Sequence, residues 1–120
     1  MYELSVTSDI ACAHFVRGHE GKCKNLHGHT WKVEISIQSH QLDSIGMVAD
    51  FAVIKKQLRE FLSVLDHTCL NDLDYFKQVN PTSENIARYI YEQFSQIIRP
   101  LKLSKVRVWE SDTSSITYRE

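Results

Sequence analysis

The most constraining feature of the sequence is a strict alternation of apolar and polar residues that follows His29. Every second residue from Trp31 to Ile37 is apolar, and the residues between them are polar. Because successive side chains of a strand point to opposite faces, this period predicts a strand with one face in a core. The segment from Tyr2 to His14 has the same period at its even positions. Two neighbouring strands are therefore expected at the start of the chain.

Two helices and two more strands are predicted after these strands. Asp50 is the expected N-cap of a first helix, which should end near the sequence LDH. Thr82, after an Asn-Pro break, is the expected N-cap of a second helix that stops at Pro100. Polar turn residues separate two short strands, expected over 103–110 and about 115–119. The predicted order is ββααββ, which is typical of the α+β class.

Composition indicates one globular domain over residues 1–120. The 14 basic and 15 acidic residues nearly balance, so no nucleic-acid partner is expected. The chain has no signal-peptide pattern and no run of 18 apolar residues, so a cytoplasmic protein with no membrane partner is expected. Its three cysteines, an odd number without a secretion signal, favour reduced thiols over a disulfide framework.

Three histidines and one glutamate occupy positions that should face the core. His14 shares the apolar parity of the first strand, unless a bulge near Ser8 resets the register, and His27 and His29 share that of the second. In an antiparallel pair these residues meet at one edge of the sheet. Three imidazoles are a common protein contribution to a catalytic zinc site with an open fourth position. Glu110 shares the parity of the apolar residues before it, so its carboxylate should also point to this side.

The segment CKNLHGH, which starts at Cys23, leaves three alternatives open. Cys23 is a fourth, thiolate ligand of a closed zinc site, a catalytic thiol beside a three-histidine site, or an ordinary loop cysteine. Lys22 and Lys24 flank it and would favour the thiolate. The connection over 15–26 is long for a hairpin, and such loops are often functional. Spacing alone does not choose among the three.

Other polar residues have simpler explanations that remain open. Asp66 and His67 are either a cap of the first helix, where a cationic imidazole is favoured, or a catalytic pair. Glu110 is either a core-side acid or a strand-end residue in solvent. Packing roles are expected for two cysteines and solvated loop positions for two histidines: Cys12, Cys69, His19 and His40.

Seven motifs in order along nearly the whole chain resemble the 6-pyruvoyl-tetrahydropterin synthase superfamily. They are AH (13–14), GKC (21–23), LHGH (26–29), GMVADF (46–51), LDHTCLN (65–71), NPTSEN (80–85) and VWE (108–110). Within the superfamily, the short length and the Cys-x-x-x-His-Gly-His motif are most similar to the bacterial 6-carboxy-tetrahydropterin synthases of the queuosine (7-deazaguanine) pathway.

The resemblance implies a tunnelling fold, in which a four-stranded antiparallel sheet carries two helices on one face. It implies trimers that close their sheets into a barrel, and two trimers stacked into a homo-hexamer with active sites between subunits. A lone subunit would then lack a complete site.

The resemblance also implies roles for seven residues. Zinc would be held by three histidines: His14, His27 and His29. Cys23 would act as a catalytic base rather than a ligand, and Asp66 would orient His67 for proton transfer. Glu110 would bind the pterin through its 2-amino group and ring N–H.

The implied reaction converts 7,8-dihydroneopterin triphosphate into 6-carboxy-5,6,7,8-tetrahydropterin, acetaldehyde and triphosphate. Alternatives are triphosphate elimination to 6-pyruvoyl-tetrahydropterin, an aldolase-like cleavage that Cys23 argues against, and a non-enzymatic zinc-stabilised binding module. The triphosphate would meet Arg17, Lys22 and Lys24, unless these are solvated loop charges. Ile10 and Cys12 depart from residues common in the family, which concerns the substrate entrance and hence the subfamily.

Overall fold

The fold is an α+β structure built on one antiparallel sheet, as a computed structural model that describes residues 1–120 shows. The four strands are β1 (Tyr2–His14), β2 (His27–Ser39), β3 (Lys102–Ser111) and β4 (Ser114–Tyr118), in the spatial order β1-β2-β3-β4. All three pairings are antiparallel. The predicted four-stranded antiparallel sheet is therefore confirmed.

Three α-helices lie between β2 and β3: α1 (Phe51–Leu62), α2 (Asp74–Gln78) and α3 (Ser83–Ile97). α1 packs on β1, and α3 packs on β3 and β4. The predicted caps are present, because Asp50 accepts from the amide of Ala52 and Thr82 from that of Asn85. None of the helices combines the length and apolar character that a membrane crossing requires.

The chain between α1 and α3 differs from the prediction. α1 ends at Leu62, before the LDH sequence, and α2 was not predicted. Five residues are too few to show a helical period, which explains why α2 gave no signal. The LDH segment instead runs along the free edge of β1, where the Asp66 carboxylate accepts from the Ala11 amide at 2.8 Å. His67 therefore has a left-handed backbone, φ 57°, and does not cap the helix.

The pairing of β1 with β2 runs without a break from Tyr2↔Ser39 to His14↔His27. No bulge occurs near Ser8, so His14 keeps the parity of the core. Irregularities lie elsewhere in the sheet, at Ser36/Ile37 between β2 and β3 and at Trp109/Ser111 between β3 and β4. The core under the helices includes one side of each of the three long strands, and its strand residues are Leu4, Val6, Ile10, Cys12, Trp31, Val33, Ile35, Ile37, Leu103, Val106 and Val108.

Candidate metal centre

The imidazoles of His14, His27 and His29 converge at the end of the sheet where β1 ends and β2 begins. His14 and His27 are register partners, and His29 is one strand repeat further along β2. One ligand nitrogen from each ring lies within 4.8 Å of the others. The three histidines come together because the pairing of β1 with β2 is unbroken and their side chains share one face, as the alternation of apolar and polar residues predicts.

Backbone carbonyls orient two of the three rings. His14 Nδ1–H donates to the carbonyl of Pro81 at 2.7 Å, and His27 Nδ1–H donates to that of Asn25 at 2.7 Å. Each of these bonds fixes the tautomer, which leaves Nε2 with a free lone pair. This arrangement, with one ring nitrogen donating to a carbonyl, is typical of metal-binding histidines.

The cluster also holds buried nitrogens that have no partner. His14 Nε2 and His29 Nε2 make no hydrogen bond, and neither does Nε1 of Trp31, whose ring packs against both imidazoles. Burial lowers the pKa of His14, chiefly through loss of solvation, so this imidazole is neutral. The unpaired buried Nε2 atoms of His14 and His29 fit a zinc ion, which would accept their lone pairs.

The carboxylate of Glu110 lies beside the imidazoles. Its oxygens are 3.7 Å from His29 Nε2 and 4.0 Å from His14 Nε2, and its side chain is 34% exposed. Ser83, the first residue of α3, donates its hydroxyl to Glu110 Oε2 at 3.4 Å. Ser83 belongs to the NPTSEN motif, but its distance of 27 residues from Glu110 hid this contact from the sequence.

Cys23 is outside the histidine cluster. It is half-buried in a 3₁₀ turn, Lys22–Lys24, and it is not part of the group of ligand atoms. Its carbonyl accepts from the amide of Val16 at 2.7 Å. The lysines on either side of it are exposed.

Asp66 and His67 lie on the other side of β1, beyond its free edge. Asp66 Oδ2 is 3.6 Å from His67 Nε2, and 83% of the His67 side chain is exposed. A cavity of about 520 Å³ contacts both His29 and His67. No hydrogen bond joins Cys23 to Asp66 or His67 within the chain. The structure therefore groups the three histidines with Glu110 and leaves Cys23 and the Asp66–His67 pair, the residues predicted to transfer protons, outside this group.

Arg17 was a predicted phosphate contact, but its guanidinium has a partner inside the protein. One of its terminal nitrogens donates to the carbonyl of Phe76 at 2.8 Å. Arg17 therefore holds the loop to α2, a role with no signal in the sequence because the two residues are 59 apart.

A family model described as 6-pyruvoyl tetrahydropterin synthase matches residues 3–120. The chain belongs to this family. It is 35% identical to the 6-carboxy-5,6,7,8-tetrahydropterin synthase of Bacillus subtilis, over 98% of this chain and 85% of the relative. It is also 36% identical to the human 6-pyruvoyl tetrahydrobiopterin synthase, over 82% of this chain and 71% of the relative.

A solved structure of the family has the same fold. The 6-pyruvoyl tetrahydropterin synthase of Caenorhabditis elegans superimposes with a TM-score of 0.90 over 99% of this chain and 95% of that one, at 27% identity. The family and the tunnelling fold predicted from the sequence are both confirmed.

Proposed function

We propose that this protein is a zinc-dependent 6-carboxy-5,6,7,8-tetrahydropterin synthase. It would convert 7,8-dihydroneopterin triphosphate into 6-carboxy-5,6,7,8-tetrahydropterin, acetaldehyde and triphosphate, as a lyase of 7-deazaguanine (queuosine) biosynthesis. The observation that carries the proposal is the set of buried imidazole nitrogens without partners beside a partly exposed carboxylate. The Bacillus relative with this name supports the choice of product.

His14, His27 and His29 would hold the zinc. When bound, zinc in an open three-histidine site supplies a Lewis acid that lowers the pKa of oxygen atoms on the substrate side chain. The carbonyls of Pro81 and Asn25 keep two of the rings in the tautomer that this role requires. A cluster fixed in this way loses little orientational freedom when it binds the ion.

Glu110 would bind the pterin ring. A carboxylate accepts two parallel hydrogen bonds from a 2-amino group and an adjacent ring N–H, which fits a planar heterocycle. Because the carboxylate is about 4 Å from two imidazoles, a ring bound to it would lie next to the proposed metal site. The hydroxyl of Ser83 holds one carboxylate oxygen, which restricts its rotation.

Cys23 and His67 would transfer protons at carbon. The Cys23 thiolate would remove a carbon-bound proton, and His67, oriented by Asp66, would give or take one on the opposite side. No hydrogen bond joins these two residues within one chain, and His67 is largely exposed. We therefore propose that the site forms between subunits of a homo-hexamer, built as a dimer of trimers, in the cytoplasm.

Two alternatives remain in competition with this function. The 36% identity to the human 6-pyruvoyl tetrahydrobiopterin synthase favours triphosphate elimination to the pyruvoyl product as the second candidate. A non-enzymatic zinc-stabilised module would instead use Cys23 to close the metal site. The position of Cys23 outside the group of ligand atoms counts against that module.

Product identification tests the proposed reaction. Zinc-loaded protein is incubated with 7,8-dihydroneopterin triphosphate, and the pterin, acetaldehyde and triphosphate are measured. We expect all three products in equal amounts. Triphosphate with a pyruvoyl pterin and no acetaldehyde would replace the carboxy reaction by the alternative, and no turnover would refute the enzyme.

Replacement of Cys23 by alanine separates catalysis from a structural metal site. We expect Cys23→Ala to keep its zinc and its melting temperature but to lose turnover by at least about 100-fold, as removal of a catalytic base does. Cys69→Ala is the matched control and should keep turnover. Loss of zinc and of folding in Cys23→Ala would show a closed structural site instead.

A further inference from the structure

The first three residues after β1, 15–17, lie outside any strand, and Arg17 begins a turn in which the His19 amide donates to the Val16 carbonyl at 3.3 Å. We call these three residues the ribbon. In this ribbon, the backbone groups of Phe15 and Arg17 bond to side chains, whereas those of Val16 bond to the backbone of the loop that follows. The Val16 amide donates to the carbonyl of Cys23 at 2.7 Å. The ribbon therefore contacts Cys23 directly.

Two asparagine side chains take the place of a neighbouring strand on the other side of the ribbon. Asn71 Oδ1 accepts from the Phe15 amide and its Nδ2 donates to the Phe15 carbonyl, both at 2.9 Å. Asn80 does the same with Arg17, at 3.0 and 2.8 Å. A primary amide carries a donor and an acceptor together, as a peptide group does, so each asparagine satisfies both backbone groups of one residue. We call these two pairs the asparagine clamps.

The clamps are themselves fixed by the core and by α3. Asn71 is only 7% exposed, in a 3₁₀ turn between α1 and α2. The Asn80 carbonyl accepts from Asn85 Nδ2 at 2.9 Å, and Asn85 lies in the first turn of α3. Arg17 adds the bond from its guanidinium to Phe76. The ribbon is thus tied to rigid elements at two consecutive odd positions.

We propose that Asn71 and Asn80 are positioning residues that hold Cys23 at its working position through the ribbon. The chain of contacts runs from the asparagine side chains to Phe15 and Arg17, from there through Val16, and from Val16 to the Cys23 carbonyl. The catalytic half of this inference rests on the proposed role of Cys23 as the base. The position of the Cys23 thiol, by contrast, does not depend on that role.

Asparagine is required at these positions because side chains of the same shape lack one or both of its hydrogen-bonding groups. Aspartate keeps the acceptor for the Arg17 amide but turns an oxygen toward the Arg17 carbonyl, and leucine has the same shape with neither group. Release of the ribbon allows local opening of the loop that carries Cys23, without unfolding the sheet. Small displacements of a catalytic group are costly, about 100-fold in rate for about 1 Å.

The test compares Asn80→Leu and Asn80→Asp with Gln78→Ala, a control in the same connection whose side chain is exposed and makes no hydrogen bond. Alkylation of Cys23 by iodoacetamide is followed by peptide mass spectrometry in the zinc-loaded protein, with Cys69 as the internal reference. We expect both Asn80 variants to alkylate Cys23 at least about threefold faster, with Cys69 unchanged, because the loop opens more often. Gln78→Ala should match the wild-type protein.

The same variants are assayed with 7,8-dihydroneopterin triphosphate, and zinc content and melting temperature are measured in parallel. We expect kcat to fall about 10- to 100-fold with KM within about twofold and zinc retained, a split that a general loss of structure does not produce. Because Asn71 is buried, Asn71→Leu is used only if it shows the wild-type circular dichroism spectrum.

Three results would overturn the inference. They are unchanged Cys23 alkylation in both Asn80 variants, equal acceleration at Cys69, and loss of zinc, which would place the effect at the histidines. If the wild-type protein has no turnover while Asn80→Leu still accelerates Cys23 alkylation, the proposed function fails and the positional role of the clamps stands.

Discussion

Two roles compete for Glu110, which either binds the pterin or acts as a metal ligand. Its carboxylate oxygens lie 3.7 and 4.0 Å from imidazole nitrogens, close enough to carry a negative charge beside a metal ion. The side chain is also partly exposed, so a substrate can reach it. We expect Glu110→Gln to raise KM for the pterin substrate about 10- to 100-fold, because a hydrogen bond to a charged group contributes about 1.5–3 kcal/mol. The measurement is steady-state kinetics at saturating zinc.

The control for this variant is Glu60→Gln on the exposed side of α1, which should leave KM unchanged. Zinc content distinguishes the two roles of Glu110. An unchanged KM with lost zinc would make Glu110 a metal ligand and remove it from pterin binding.

Cys12 is a thiol that the fold protects from ionisation. Burial, with a smaller effect of the nearby Asp66, raises its pKa to about 12 from an ordinary value of 9.0. At pH 8 only about one Cys12 thiol in 10⁴ is ionised, so we expect no alkylation of Cys12 under conditions that modify Cys23. Peptide mapping after treatment with iodoacetamide checks this, and modification of Cys12 before Cys23 would contradict it.

The raised pKa of Cys12 also fixes the direction of a pH effect. The folded state holds the thiol proton more tightly than the unfolded state does. The stability that the protonated Cys12 thiol contributes is therefore complete below pH 9 and is lost as the pH rises toward 12. We expect the difference in unfolding free energy between the wild-type protein and Cys12→Ala to stay constant from pH 6 to 8. Above pH 9 it should shrink, by at most about 1.4 kcal/mol per pH unit. Urea unfolding at several pH values measures it.

At the scale of the elements, periodicity predicted the features that depend on one long strand or helix, such as which residues share a face. The parity of β1 and β2 placed His14, His27 and His29 together because their pairing has no bulge. The features that the sequence did not predict are either short elements or contacts between residues far apart in the chain. α2 has five residues, and the asparagine clamps join residues 56 and 63 positions apart, which no local pattern records.

Two adjacent residues at the N-terminus of α3 make different contacts, one within the helix cap and one with Glu110. Thr82 Oγ1 accepts from the Asn85 amide, whereas the neighbouring Ser83 hydroxyl donates to Glu110. We expect Thr82→Ala to lower the free energy of unfolding by about 1 kcal/mol, the usual value for loss of an N-cap. Ser83→Ala should change it by less than about 0.5 kcal/mol, because its long hydrogen bond links two partly exposed groups.

Urea denaturation of both variants tests this division. Equal destabilisation by the two substitutions would show that the hydroxyl of Ser83 is also part of the helix cap. The opposite order would assign the cap to Ser83 alone.

The whole molecule is elongated for a chain of its length. Its radius of gyration is 15.2 Å and its extents are 52 × 26 × 23 Å, whereas a compact chain of this length has a radius of about 14 Å. Large apolar side chains are exposed near the start of β1 and α1, among them Tyr2, Ile45 and Phe51. Exposed apolar surface of this kind usually marks a protein contact. Both features support the proposed hexamer.

Subunit mixing tests whether the site forms between chains. Cys23→Ala and His67→Ala should each be inactive, since each lacks one proton-transfer residue. If Cys23 of one subunit works with His67 of its neighbour, random assembly of an equal mixture leaves about a quarter of the sites with both residues intact. We therefore expect about a quarter of the wild-type activity after the two variants are unfolded together and refolded. No recovery, with assembly verified by light scattering, would place both residues in one chain's site, and the largely exposed His67 imidazole would then have to move to reach Cys23.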